Sequence, residues 1–276
     1  MTETRQTVAA HYGVGGLLDS ILTALRNNGN YIDVLEPSDL APVDEFHIRG
    51  REATVELADR AGLAPGLRVL DVGCGLGGTV RYLAVERECH STGLDLTQEY
   101  IDVASALSNL VGLEDRVVLH CGSAQELPFD ENSFDVVWTE HAQINIEDKD
   151  AFYAEMSRVL KRGGRLAFHD IFQGNGGEPL YPVPWAEDES ISFLSSLDVL
   201  QRTLERVGFE IRDWEDKSQH SEEWLSAVVA KLQESGPPPL GLHLLMGETS
   251  EVKFQNQIRN LQEGRIVVIQ AVAEKR

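Results

Sequence analysis

Basic charge is scarce in this chain. Lysine and arginine together number 24 against 45 aspartates and glutamates, a formal net charge of -21 over 276 residues. Phosphate backbones and anionic lipid surfaces attract basic patches, so nucleic acid and membrane surfaces are excluded as partners. Cysteine is scarcer still. Cys74, Cys89 and Cys121 form an odd, scattered set without a C-x-x-C pair. Neither a disulfide framework nor a zinc site follows from them, and a reduced, cytoplasmic setting fits. No histidine–carboxylate spacing suggests a metal. There is no run of about 18 apolar residues, which predicts that nothing spans a membrane. The polar start MTETRQTVAAHYG lacks the basic and apolar regions of a signal peptide. What remains is an ordinary globular composition, 42% hydrophobic, long enough for one large α/β domain with additions.

Residues 1–64 read as a mostly helical N-terminal segment. Ser20 to Leu25 has helical spacing and stops near Asn28-Gly29, EPSDLAPVDEFHIRG reads as a polar link, and REATVELADRA is a second helix closed by Gly62. From Arg68 the pattern becomes strand, turn, helix, repeated. RVLDVG, HSTGLDL, RVVLHCG, FDVVWTE, GRLAFHDIF and EIRDWED read as strands, with GRIVVIQAVAE as the last. TVRYLAVER, TQEYIDVASALSNLVG, DKDAFYAEMSRVLKRGG and SFLSSLDVLQRTLERVGF read as the helices between them. This alternation predicts an α/β domain over 65–276, a doubly wound, mostly parallel sheet with helices on both faces. Two stretches break it: a Gly- and Pro-rich loop at 172–194 and a mostly helical insertion at 218–263 before the last strand. Long loops in compact domains are often functional. Both stretches are expected to shape a ligand site, with the N-terminal helices as its lid.

The stretch VLDVGCGLGG, residues 69–78, carries the chemistry. A strand, a glycine turn and a helix open a mononucleotide-binding unit, and the glycines let backbone approach the ligand. Gly73, Gly75 and Gly78 also spell G-x-G-x-x-G, a pattern that dinucleotide sites share. Asp71 separates the two cases. A carboxylate two residues before the first glycine would repel a pyrophosphate, whereas a cofactor with an ammonium and a sulfonium welcomes it. Asp95 ends the next strand 24 residues later, where a carboxylate can take both ribose hydroxyls.

Taken together, VLDVGCGLGG, GLDLT, SAQELPF, SFDVVW and RVLKRGGRLAF resemble the motif series of class I S-adenosylmethionine-dependent methyltransferases. The resemblance implies a seven-stranded sheet of order 3-2-1-4-5-7-6 with strand 7 antiparallel, and S-adenosylmethionine as cofactor with S-adenosylhomocysteine as product. It places Gly73, Gly75 and Gly77 against the cofactor, Asp71 near its methionine ammonium, Asp95 on the ribose and Leu96 beside the adenine. Ala124 and Gln125 match residues near the adenine ring, and Ser123 stands where such enzymes commonly have aspartate. Glu140 falls where the methionine end meets the acceptor.

A narrower likeness concerns the acceptor. DEFHIRGREATVELA, WTEHAQINIEDKDAFYAEMSRVLKRGGRLAFHD, PLYPVPWAE and NLQEGRIVV resemble sarcosine/dimethylglycine N-methyltransferases. The implied acceptor is a small amine, needing a cation for its carboxylate and aromatic faces for its ammonium. Arg49, with Arg51 beside it, is the candidate cation. Tyr181 and Trp185 are the candidate faces, and Gln143 is a polar contact. His141 follows the fourth strand, where ligands bind in such sheets, and is the candidate catalytic residue, as base or as orienting group. His47, Asn145, His169 and Asp170 are further candidates. The competing reading is O- or C-methylation of a natural product, quinone or phenol, where a base matters more because a proton is released. An oxidoreductase and an inert cofactor-binding protein remain as other classes. The partner is in each case a small molecule, and a homodimer stays open.

Overall fold

The computed structural model describes residues 2–13 and 15–276, with the side chain of Asp33 left aside. Seven strands form one sheet: β1 (Arg68–Val72), β2 (His90–Asp95), β3 (Val117–Cys121), β4 (Phe134–Glu140), β5 (Leu160–Gln173), β6 (Phe209–Asp216) and β7 (Ile266–Lys275). Their order is β3-β2-β1-β4-β5-β7-β6. The first five pair in parallel, and β7 runs antiparallel to both β5 and β6. Central strands are apolar on both faces because helices cover both. On one side Phe152, Met156, Leu200 and Leu204 pack against β4 and β5. On the other, Leu57, Ala58, Tyr82 and Leu83 pack against Val69, Val136 and Trp138.

The first helices are α1 (Glu3–Tyr12), α2 (Leu17–Asn27), α3 (Pro37–Asp44) and α4 (Gly50–Arg60). Residues 3–27 have the length and mean hydropathy of a membrane-crossing helix. Glycines 13, 15 and 16 lie between two separate helices there, and Leu17, Ile21 and Leu25 of α2 are buried against Leu40, Leu107 and Leu245. Helix α3 is a correction, since residues 36–50 read as a polar link. Pro37 sits at its first turn, where no amide donor is needed, and Glu36 and Asp39 form a reciprocal capping box.

Within the sheet domain lie α5 (Gly78–Val85), α6 (Gln98–Leu110), α7 (Lys149–Val159) and α8 (Leu197–Arg206). Helix α7 ends earlier than the sequence pattern suggests. From Leu160 the chain is already extended and pairs with Phe134, and Gly163 at φ +72° turns it onward. Helix α8 starts later, at the Ser196 cap, whose hydroxyl accepts from the Val199 amide. The insertion between β6 and β7 holds α9 (Ser218–Ser235), α10 (His243–Met246) and α11 (Ser250–Gln262). Helices α1, α9 and α11 and the 172–194 loop gather over the carboxyl ends of the parallel strands, through Val8, Leu225, Phe254, Val183 and Trp185.

Candidate functional site

A cavity of about 620 Å³ opens at the carboxyl ends of β1, β2 and β4. That is where open α/β sheets bind ligands. One half is walled by Gly73, Gly75, Asp95, Leu96, Ser123 and Ala124. Gly73 has φ +84°, and a Cβ there would stand 2.5 Å from that of Ala142. Backbone alone fits this turn. The Gly75 amide donates to Asp95 Oδ2 at 3.0 Å and the Thr97 amide to Oδ1 at 2.8 Å, which fixes that carboxylate at the cavity wall. Gly77, at φ +79°, caps α5 and does not reach the cavity.

A small recess of about 40 Å³ continues beneath the glycine turn, between Asp44, His47, Asp71, Thr79 and Glu140. Asp71 is buried and its carboxylate makes no hydrogen bond among the described residues. Burial, and then the charges of Glu140, Asp95 and Glu45, push its carboxyl well above the ordinary aspartate range. Burial raises Asp95 as well, against the pull of its backbone donors. Buried carboxylates without a cation are costly. Among the described residues the only arginine or lysine lining either space is Arg5, whose Nε donates to Gln125 Oε1 at 3.1 Å at the cavity edge. The donor set thus fits a cationic ligand and disfavours a pyrophosphate.

Glu140 faces both spaces. Its Oε2 accepts from Trp138 Nε1 and Thr79 Oγ1, each at 2.9 Å, and its Oε1 lies 3.3 Å from His47 Nε2. His141 follows it at φ +50°. Its ring stacks on His169 at 5.3 Å and meets His47 edge-on at 6.2 Å. Burial, then the neighbouring His169 and His47, hold the His141 imidazole well below the ordinary histidine range. The other half of the cavity is apolar: Val8, Ile144, Trp185, Trp224, Leu225 and Phe254 line it, with Tyr12, Leu245 and Gln257.

Several sequence candidates lie elsewhere. Arg49 does not reach the cavity. It is buried, at φ 69°, and paired to Glu52 at 2.6 Å and Glu56 at 2.9 Å. Arg51 turns to Glu45 at 2.5 Å. Gln143 is fully buried behind the wall, its amide donating to the Ile171 carbonyl. Tyr181 packs behind the cavity among the residues that anchor the loop. His169 and Asp170 are buried in β5 and do not line it. Trp185 does, with Nε1 donating to Ser192 Oγ at 2.9 Å. Asn145 ties the roof together, accepting from Tyr12 Oη at 2.8 Å and donating to the Trp185 and Ile191 carbonyls. The Ser123 hydroxyl accepts from the Gln125 amide at 3.2 Å. The sequence reading missed Val8, Tyr12, Trp224, Phe254 and Gln257. The helical i, i+3 spacing of Phe254 and Gln257 was their one visible signal.

A seven-stranded sheet in this order, with an acidic, glycine-walled cavity at its carboxyl edge, defines a class I methyltransferase. Comparison with known proteins agrees. The family described as a methyltransferase domain matches residues 70–168. Methyltransferase GfsG of Streptomyces halstedii is 32% identical over 226 residues, 78% of this chain and 79% of that protein. The 27-O-demethylrifamycin SV methyltransferase of Amycolatopsis mediterranei is 32% identical over 192 residues, 64% of this chain and 68% of that one. The glycine/sarcosine/dimethylglycine N-methyltransferase of Actinopolyspora halophila is 28% identical over 219 residues, 79% of this chain but only 38% of that longer protein. The solved phosphoethanolamine N-methyltransferase 2 of Haemonchus contortus shares the fold, with a TM-score of 0.76 at 20% identity over 100% of this chain and 61% of that one. The chain belongs to the S-adenosylmethionine-dependent methyltransferases, enzymes that transfer methyl groups to small molecules.

Proposed function

We propose that this methyltransferase acts on a bulky, largely apolar acceptor, at a hydroxyl or an acidic carbon. The observation that carries this reading is the lining of the acceptor half. Trp185, Trp224, Leu225 and Phe254 face it, and among the described residues neither arginine nor lysine does. A free amino acid such as sarcosine or dimethylglycine would leave its carboxylate there without a cation, a cost of several kcal/mol on the order of that for any unpaired buried charge. The relative named for 27-O-demethylrifamycin SV supports the same reading.

When bound, S-adenosylmethionine supplies a methyl group on a positively charged sulfur. The chain's own residues hold and align the reactants, which alone can account for much of the acceleration. In this reading Asp71 and Glu140 hold the methionine ammonium, Gly73 and Gly75 pack on the chain behind it, and Asp95 takes the ribose hydroxyls. Leu96, Ser123, Ala124 and Gln125 surround the adenine. His141, at the exit of β4, orients the acceptor atom, and Trp185 and Gln257 bound its body. Of residues 1–64, expected as a lid, α1 acts as the cover of the cavity through Tyr12 and Arg5, while α4 packs on the sheet. The cytoplasm, where the cofactor is made and thiols stay reduced, is the proposed setting.

A methyl-transfer screen tests the reading. The protein and labelled S-adenosylmethionine are offered phenols, quinols and hydroxylated polyketides beside glycine, sarcosine and dimethylglycine, with S-adenosylhomocysteine as the readout. Turnover on the first group is expected. Turnover confined to the amino acids would refute it and return the acceptor to the amine that the narrower sequence likeness implies.

A further inference from the structure

We propose that His47, backed by Glu45 and Glu140, is the group that removes the acceptor's proton, and that His141 beside it only orients the acceptor. The inference rests on the hydroxyl or acidic-carbon reading above. His47 lies between α3 and α4, in the segment that read as a link, and its ring lines the main cavity. All of its hydrogen bonding is on one nitrogen. Nε2 lies 2.9 Å from the Gly50 carbonyl and 3.0 Å from Thr54 Oγ1. It also lies 3.5 Å from Glu45 Oε2 and 3.3 Å from Glu140 Oε1. The Gly50 carbonyl can only accept, so Nε2 carries the hydrogen, with both acids beside it. Nδ1 is then the nitrogen with the lone pair. It has no partner among the described residues and is not fully buried, on a residue that lines both the cavity and the recess.

His141 lacks this backing. Among the described residues no carboxylate contacts its ring, its Nε2 is buried without a partner, and its flat neighbour is another imidazole, His169. An imidazolium formed on His141 would have no counter-charge, while one formed on His47 would have two. The groups facing His47 are Glu45 on its own loop, Glu140 from β4, Thr54 and Arg51 from α4, His141 after β4 and His169 from β5, with Asp44 of α3 and Asp71 of β1 across the recess. Arg51 reaches Glu45 and not the ring, and it is part-exposed. Thr54 Oγ1 spans both acids, within 3.2 Å of Glu45 and 3.3 Å of Glu140, and keeps them in place.

The step balances without a further reagent. The acceptor oxygen forms its bond to the methyl carbon as its O–H proton passes to His47 Nδ1. The carbon–sulfur bond breaks with its electron pair left on sulfur, which becomes neutral. His47 ends as an imidazolium beside two carboxylates and gives its Nδ1 proton to water when product leaves, which restores the starting tautomer.

Two measurements test this. In the first, His47→Gln and His141→Gln are compared on the phenol or hydroxyl acceptor that the wild-type enzyme turns over, with cofactor affinity measured calorimetrically. His47→Gln is expected to keep cofactor affinity within about twofold and to lose about 100- to 10,000-fold in kcat. Part of this loss is recovered at high pH, where the acceptor ionises by itself. His141→Gln is expected to act mainly on KM. Glu45→Gln keeps the shape of the loop should His47→Gln fail to fold. It is expected to lower kcat with cofactor affinity little changed, because the imidazolium loses one of its two neighbouring carboxylates. In the second, ¹⁵N NMR of the histidine rings in the S-adenosylhomocysteine complex is expected to find His47 Nδ1 unprotonated and Nε2 protonated. A kcat unchanged in His47→Gln, or a proton on Nδ1, overturns the inference while leaving the proposed function intact. Turnover on dimethylglycine alone overturns both, since a tertiary amine releases no proton.

Discussion

Replacing Asp71 with asparagine should move cofactor affinity and apo-protein stability in opposite directions. Asp71 is buried, its carboxylate without a hydrogen bond among the described residues, and faces Glu140 and Asp95. In the proposed complex its carboxylate meets the methionine ammonium, and a hydrogen bond to a charged group contributes about 1.5–3 kcal/mol. Asparagine keeps the shape and loses the charge. The cofactor Kd should therefore rise about 10- to 150-fold. The free protein should behave the other way. Its folded-state Asp71 carboxyl lies above its unfolded value, so the stability it contributes is complete at acid pH. That contribution is lost as pH rises from the ordinary aspartate range through the raised one. Asp71→Asn removes this loss, so at neutral pH the apo variant should resist urea at least as well as the wild type. Its stability should also depend less on pH. Titration calorimetry and urea unfolding of the same preparations read both effects. S-adenosylhomocysteine and S-adenosylmethionine should lose affinity equally, because both carry the ammonium. Unchanged affinity, or a loss seen only with the sulfonium compound, would refute the placement of Asp71 beneath the ammonium.

Three further outcomes follow from the packing. Arg81 is buried, 2.6 Å from Asp44 Oδ2, and also donates to the Leu76 carbonyl at 2.8 Å and to Ser108 Oγ at 3.0 Å. Arg81→Met strands the Asp44 charge and should cost about 3–5 kcal/mol in urea unfolding, with much of it recovered when Asp44→Asn is added. Gln257 is buried, lines the apolar half and makes no side-chain hydrogen bond among the described residues. Gln257→Leu should raise KM about 2- to 13-fold for an acceptor with an oxygen at that end, with kcat unchanged, as steady-state kinetics would read. Asn145→Ala removes the contacts that bind α1 to the 172–194 loop, and limited proteolysis within α1 should accelerate; equal cleavage rates would count against α1 as a tethered cover.

The cofactor half of this protein is written in contiguous sequence. Asp71, the glycine turn and Asp95 act within one β1–α5–β2 unit, so local order in the chain is local order in space, and the strand–helix alternation carries the sheet with it. Element ends were less legible. Pro37 and Pro42 read as breakers although Pro37 occupies the first turn of α3, and Gly163-Gly164 cut α7 short so that Leu160 could pair with Phe134. The acceptor half was decided by tertiary structure. Its walls come from α1, the loop ahead of α4, the 172–194 loop, α9 and α11, segments as far apart as Val8 and Phe254 whose meeting no local pattern encodes. The same is true of charge. Arg49 looked available for a carboxylate, but Glu52 and Glu56 consume it, whereas His47 looked ordinary until folding set Glu45 and Glu140 on one of its nitrogens and left the other without a partner among the described residues. A residue's type is fixed along the chain, but which of its atoms remain unpaired is a property of its neighbours in space.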